Sequence, residues 1–393
     1  MTHNFSHIGT LLTHEGTIRS EFGEMSEALY LNSAYRFPTA EAAEARFNRT
    51  DPGYTYSRYS NPNIDMLERR LCALEGAESC VAVGSGMAGI FSTLMCFLRP
   101  GDNIVANKVL FGSCYYIVTQ ILPRYGIGVA LVDGGNENAW DRAFSDKKIA
   151  AAFIETPSNP NLGLTDVTAL SEHCRSVGAK LIVDNIFAGP LSQQPLSLGA
   201  DAVVYSTTKH IDGQGRCLGG AVLGGRDFIM NALQPFVRHT GPGISPFNAW
   251  LAFKSLETLS VRYERHVANA AAVAEFLSNH PAVERLHYPG HDSHPQRALA
   301  KKQMLNGGSV LSFEVKGGKE KAFAFLNRLK LISIANNFGD SRSIANHPAS
   351  TTHASIPKAE QRAVGISDGL CRFSAGLEHI DDMIADMDAA LKS

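Results

Sequence analysis

Residues 180–209 read KLIVDNIFAGPLSQQPLSLGADAVVYSTTK. Two short runs in this stretch, Lys180–Val183 and Ala202–Tyr205, lack the polar alternation of a half-exposed strand. A continuous apolar run of that length fits a strand buried on both faces, as in a parallel sheet with helices on each side. Each run ends on groups that burial disfavours: Asp184 after the first, and Ser206, Thr208 and Lys209 after the second. Ligands of such sheets gather at the carboxyl ends of strands. The stretch therefore predicts an α/β sheet and places the candidate chemistry at one edge of it.

The same texture extends on both sides. Cys80–Val83, Asn103–Ala106, Gly128–Val132 and Ala150–Ile154 are further apolar runs alternating with helical stretches. Upstream, Ile64, Leu67, Leu71 and Leu74 recur like one face of a helix over Ile64–Glu75. The first ~60 residues show little periodicity and read as an arm. From Ser245 the pattern changes to a long helix or helix pair ending near Leu277. Then come two strand candidates, SVLSFEV and LCRFSAG, and a terminal amphipathic helix. The expected organisation is an arm over 1–60, an α/β domain over 61–245 and a smaller α+β domain over 246–393.

Composition narrows the function. The chain has 393 residues, with 36 Lys and Arg against 38 Asp and Glu, a net charge of −2. That balance gives no electrostatic basis for nucleic-acid or membrane binding. The opening MTHNFSHIGTLLTHEG has no basic n-region and no apolar h-region, so it is not expected to act as a secretory signal, and no apolar run is long enough to span a bilayer. The seven cysteines form no CxxC pair, so reduced thiols in a cytoplasmic protein are expected rather than zinc or disulfides.

Residues Gly84–Gly89, GSGMAG, match G-x-G-x-x-G after a strand and before a helix. A dinucleotide site also needs an acid at the end of the next strand, where Asn107 and Lys108 stand instead. What remains is a helix N-terminus suited to phosphate, with Ser85 adding a hydroxyl, or a plain tight turn. Lys209 follows three hydroxyl residues, Ser206, Thr207 and Thr208, and precedes the glycine-rich IDGQGRCLGG. Ser206 and Thr208 suit a phosphate, and a buried lysine amine with a lowered pKa suits imine formation and proton removal. Asp184 would cost energy unless paired. A pyridinium nitrogen is a suitable partner, and a helix cap is the alternative. No His or carboxylate cluster is expected nearby, so a metal is the weaker choice.

Together these residues resemble the Cys/Met-metabolism (cystathionine γ-synthase-like) family of pyridoxal-phosphate enzymes. Its markers are YSRYSNP at Tyr56–Pro62, GSGMAGI at Gly84–Ile90, ETPSNP at Glu155–Pro160, VDNIF at Val183–Phe187, STTKHIDGQGR at Ser206–Arg216, HPASTTH at His347–His353 and LCRFSAGLE around Arg372. The resemblance implies fold type I, with a large, mostly parallel seven-stranded sheet, pyridoxal 5′-phosphate as cofactor and a homotetramer of two active dimers. It implies that Lys209 forms the Schiff base and that Asp184 meets the pyridine nitrogen. Gly86, Met87, Ser206 and Thr208 would hold the phosphate, and Asn159 would approach the ring's phenolic oxygen. Tyr56 and Arg58 would reach the phosphate of a neighbouring subunit, and Arg372 would clamp the substrate α-carboxylate.

Two departures bear on the reaction. Many family members place a tyrosine on the cofactor ring; here LFGSCYY puts Phe111 there, able to stack but without a hydroxyl to move protons. Asn337 stands where several relatives have serine, as a substrate-orienting residue or a turn residue. The resemblance then implies sulfide replacing the γ-ester of O-succinyl- or O-acetylhomoserine to give homocysteine. Cysteine as donor, or elimination from methionine, are the alternatives. Arg46, Arg49 and Arg342 are candidate cations for a distal ester carboxylate. A nicotinamide oxidoreductase lacks its ribose acid, and a pseudoenzyme would be expected to lack Lys209, Asp184 or Arg372.

Overall fold

A computed structural model of the chain describes residues 7–145 and 148–392. Seven strands form the large sheet: β1 (Ser79–Val83), β2 (Asn103–Asn107), β3 (Gly128–Val132), β4 (Ile149–Glu155), β5 (Lys180–Asp184), β6 (Ala202–Tyr205) and β7 (Gly220–Gly224). Their order is β1-β7-β6-β5-β4-β2-β3. Strands β6, β5, β4, β2 and β3 pair in parallel, whereas β7 runs antiparallel to both β6 and β1.

The apolar runs are double-faced because both sides of the sheet are covered. On β6, Ala202 and Val204 pack into one core, while Val203 and Tyr205 pack into the opposite one. On β5, Ile182 faces the first core, and Leu181 and Val183 face a third with Val167, Leu170 and Cys174. The six apolar runs read from sequence all become strands. The seventh, β7, is bounded by Gly220 and Gly224 and follows a glycine-rich stretch, so its pattern resembles a loop. Its two ends have to be bare: a Cβ on Gly220 would lie 2.5 Å from the Ser85 carbonyl oxygen, and one on Gly224 2.5 Å from that of Asp201.

The arm carries two short helices, α1 (Ile8–His14) and α2 (Ala40–Phe47). Leu12 of α1 is fully buried against α3 (Pro62–Glu75). Asn61 caps α3, Pro62 occupies its first turn and Gly76 ends it in the left-handed region. The long helical region after Ser245 is a pair, Pro246–Leu256 and Leu259–Ser278. A second sheet, β8 (Val283–His287), β9 (Val310–Val315), β10 (Ser333–Ile334), β11 (Ile344–Asn346) and β12 (Leu370–Ser374), has the order β10-β11-β12-β9-β8. Helices Leu259–Ser278, Gly318–Arg328 and Ile380–Leu391 supply its core. Among the described residues no helix is long and apolar enough to cross a membrane.

Candidate active site

The carboxyl ends of β1, β4, β5 and β6 open into one cavity of about 790 Å³ including its mouth. That is ample for a cofactor-sized molecule. Its walls include Ser85, Gly86, Met87, Phe111, Asn159, Asp184, Ser206, Thr208, Lys209 and Arg372. Residues far apart in sequence thus share one space because their strands are neighbours.

One wall is the start of α4 (Gly86–Met95), whose first N–H groups have no partner within the helix. Ser85 is its N-cap: the backbone is extended and Oγ accepts from the Ala88 N–H at 3.1 Å. Gly86 is required here by contact, since a Cβ would fall 2.9 Å from Ser206 Cβ and 3.2 Å from Ile186 Cδ1. On the β6 side, Ser206 and Thr208 donate to the Gly219 carbonyl at 3.4 and 3.2 Å, and Thr208 Oγ1 accepts from the Gly219 N–H. Helix N–H groups facing two hydroxyls form a donor set for a phosphate.

Lys209 sits in a turn after β6 whose helical form it interrupts, with φ −92° and ψ −126°. Its Nζ donates to Asn337 Oδ1 at 2.7 Å and stands 4.9 Å from the Phe338 ring centre. Burial, then the nearby Arg372 charge, lowers its pKa to about 8. Asp184 ends β5, 3% exposed. Its Oδ1 accepts from the Ile186 N–H at 3.0 Å, and Cys114 Sγ lies 3.9 Å from Oδ2. Burial raises its pKa to about 7.

Arg372, on β12 of the second sheet, is 2% exposed. It donates to Asn159 Oδ1 at 3.0 Å and to the Asn337 carbonyl at 3.3 Å. Phe187 and Phe338 meet edge to face at 4.7 Å and lie 5.6 and 5.5 Å from its guanidinium. Burial lowers its pKa to about 10, opposed by Glu155, so it stays charged near neutral pH.

Several contributors lie outside the sequence reading: Glu155, Ile186, Phe187, Leu218, Asn336, Phe338 and Thr352 also line the cavity. Glu155 was legible in principle, because it closes an apolar strand just as Asp184 does. The expectation that no carboxylate adjoins Asp184 is corrected here. Parallel pairing sets Glu155 opposite Asp184, and the ligand atoms of Glu155, Asp184 and Cys114 lie within 4.8 Å of one another. Both Glu155 oxygens and Asp184 Oδ1 already accept backbone N–H bonds. That leaves too few groups for a closed four-ligand metal site.

Tyr56 and Arg58 do not line this cavity. Arg58 stacks near the Tyr56 and Tyr59 rings and donates to the Arg238 carbonyl. Arg46 pairs with Asp51 at 2.9 Å, Arg342 stands 3.5 Å from Asp340, and Arg49 adopts a left-handed φ of 61°. None of these three lines the cavity.

The donor set fits pyridoxal phosphate. Phosphate donors, an amine for the aldehyde, an acid for the pyridine nitrogen and the Phe111 ring for its face surround a single space. The family described as Cys/Met metabolism PLP-dependent enzyme matches residues 9–392. An O-succinylhomoserine sulfhydrylase of Mycobacterium tuberculosis is 47% identical, over 96% of this chain and 93% of its own. An L-methionine gamma-lyase of Fusobacterium nucleatum is 40% identical, over 98% of each chain. A solved structure from Campylobacter jejuni that carries N′-pyridoxyl-lysine-5′-monophosphate superposes with a TM-score of 0.93. It is 32% identical, and the match covers 98% of this chain and 99% of that one.

Proposed function

Since the chain belongs to the Cys/Met metabolism family of pyridoxal-phosphate-dependent enzymes, we propose that it replaces the γ-ester of O-succinylhomoserine with sulfide, forming homocysteine and succinate. The observation that carries this reading is the convergence of Lys209, Asp184, the α4 N-terminus and Arg372 on one cavity whose ring-stacking position is Phe111. The 47% identity to a sulfhydrylase favours succinyl ester and sulfide over the other family reactions.

In this reading Ser85, Gly86, Met87, Ser206 and Thr208 hold the phosphate, and Asp184 pairs with the pyridine nitrogen. Phe111 covers the ring, Asn159 faces its phenolic oxygen and Lys209 takes the aldehyde. Bound there, the cofactor supplies an electron sink for negative charge at the substrate α-carbon. Arg372 grips the substrate α-carboxylate with its planar fork. Its contacts with Asn159 and the Asn337 carbonyl fix the fork before substrate arrives. Once the substrate amine has displaced it from the aldehyde, the freed Lys209 Nζ, deprotonated more readily than a solvent lysine, would take the proton from Cα, hand it on to the bound cofactor and, neutral again, take one from Cβ. The Cγ–O bond breaks with its electron pair leaving on succinate, sulfide forms the new C–S bond, and Lys209 returns the protons. Phe111 has no hydroxyl to share that work, so a single base serves every transfer.

The reading extends to assembly and place. Residues 1–60 act as an arm that brings Tyr56 and Arg58 to a neighbouring subunit of a homotetramer. Residues 61–245 bind the cofactor and 246–393 supply the carboxylate clamp. Phe22 and Met25, each 86% exposed, and Leu31, 68% exposed, support an arm that packs on another chain. Seven free thiols fit a cytoplasmic enzyme of methionine supply.

The test is one purified sample assayed with O-succinylhomoserine plus sulfide, then with cysteine replacing sulfide, then with O-acetylhomoserine plus sulfide, then with methionine alone. Homocysteine should form fastest in the first. A higher kcat/KM with cysteine or methionine would replace this reading with cystathionine synthesis or methionine elimination. A higher value with the acetyl ester would change the ester.

A further inference from the structure

Glu155 is 3% exposed at the end of β4 and belongs to none of the roles assigned above. Its two oxygens are both occupied by cavity residues: Oε2 accepts from the Phe111 N–H at 2.8 Å and Oε1 from the Asn159 N–H at 2.5 Å. Phe111 lies on the segment after β2 and Asn159 on the segment after β4, so one carboxylate ties together two walls of the cavity.

Asn159 is held at three points. Glu155 takes its N–H, His353 Nε2 donates to its carbonyl at 3.1 Å, and Arg372 donates to its Oδ1 at 3.0 Å. With Oδ1 committed to Arg372, the side-chain amide of Asn159 has its NH₂ group to offer to a ligand. Phe111 is the N-cap of a helical turn without a side-chain cap; its carbonyl accepts from the Tyr115 N–H at 2.9 Å, and its own N–H is held by Glu155.

Both oxygens act as acceptors, which is the hydrogen-bonding pattern of an ionised carboxylate. Burial pushes the Glu155 pKa well up, and the Asp184 charge pushes it the same way. Two backbone N–H groups and the Arg372 charge oppose that push.

We infer that Glu155 is a positioning residue for the cofactor ring and the carboxylate clamp, setting Phe111 and Asn159 together through a single side chain. The inference rests on the pyridoxal-phosphate reading and adds to it a residue that acts through Phe111 and Asn159.

Wild type, Glu155→Gln, Asn159→Ala and the double variant are stripped of cofactor and titrated with pyridoxal phosphate. Visible circular dichroism of the bound cofactor reports its orientation. Glutamine offers one acceptor where two are needed and presents an NH₂ group to the other N–H. Glu155→Gln should weaken cofactor binding at least tenfold, lower the visible dichroism per bound cofactor and raise KM for O-succinylhomoserine more than it lowers kcat. The double variant should lose less than the product of the two single losses, because the share of the Glu155 effect that runs through the Asn159 side chain is already gone in Asn159→Ala while the share through Phe111 remains.

Wild-type affinity and dichroism in Glu155→Gln overturn the inference. So do losses that multiply with those of Asn159→Ala, as an independent folding defect would. If Glu155→Gln does not fold, Glu155→Asp, which keeps the charge on a shorter arm, is judged by the same two criteria. Failure of the wild type to take up pyridoxal phosphate would remove the functional reading and this inference together. Failure confined to the predicted Glu155 effects removes the inference alone.

Discussion

Lys209 Nζ donates to Asn337 Oδ1 at 2.7 Å, a bond between residues 128 positions apart. The Asn337 carbonyl in turn accepts from Arg372. One residue therefore touches both the amine to which we assign proton transfer and the guanidinium to which we assign the carboxylate clamp. Asn337→Ala should lower kcat about tenfold, a modest share of a general-base contribution, with KM rising less. Steady-state kinetics on O-succinylhomoserine decides it. A change in KM alone would make Asn337 only a binding residue.

The lowered Lys209 pKa, about 8, sets a pH profile. Only the neutral amine attacks an aldehyde. The rate of pyridoxal-phosphate uptake by the cofactor-free protein should therefore climb with pH and level off above about 8, not near 10. Burial is the larger cause of the shift and the Arg372 charge the second. Arg372→Gln should move the plateau to higher pH. Stopped-flow absorbance across pH 6 to 10 measures both.

Asp184 carries a stability cost in the cofactor-free protein. Its folded pKa, raised to about 7 by burial, exceeds the unfolded value of ~3.9. Between those values the folded state binds more protons than the unfolded one, so stability falls as pH rises from about 4 to about 7. Asp184→Asn should abolish that fall, leaving the cofactor-free variant more stable than wild type at pH 8. The same variant should lose roughly 10²-fold or more in kcat, having lost the proposed partner of the ring nitrogen. Urea melts at pH 5 and pH 8, beside kinetics on the loaded enzyme, separate the two effects.

Arg372→Lys keeps the charge but loses the planar fork. KM for the amino-acid substrate should rise about 10²-fold with a smaller change in kcat. Cofactor affinity should stay near wild type.

Phe111→Tyr returns a phenol to the cavity. Methionine elimination should rise about tenfold over the wild-type background, within the range of an added acid–base group, while cofactor affinity holds. Release of methanethiol is the readout.

The sequence alone carried the strand-end chemistry. Lys209 and Asp184 stand out because each follows an apolar run too continuous for a half-exposed strand, and the Gly84–Gly89 loop stands out between a strand and a helix. These are local signals, legible because burial on both faces leaves no polar alternation. Strand β7 was not legible: Gly220 makes room for the Ser85 carbonyl and Gly224 for that of Asp201, and those contacts exist only after folding.

Strand order belonged to the tertiary structure. Hydropathy says that a strand is buried but not beside which neighbour, and the β4–β5 register alone puts Glu155 next to Asp184. The same holds for Phe338 and Arg372, which line the cavity, and for Asn337, which does not line it but accepts from Lys209, because the second sheet packs beside the carboxyl edge of the first. Their neighbours in sequence give no hint of that edge. Composition and periodicity depend on each residue's exposure to water, whereas a site depends on which exposures coincide, and only the packed chain fixes that.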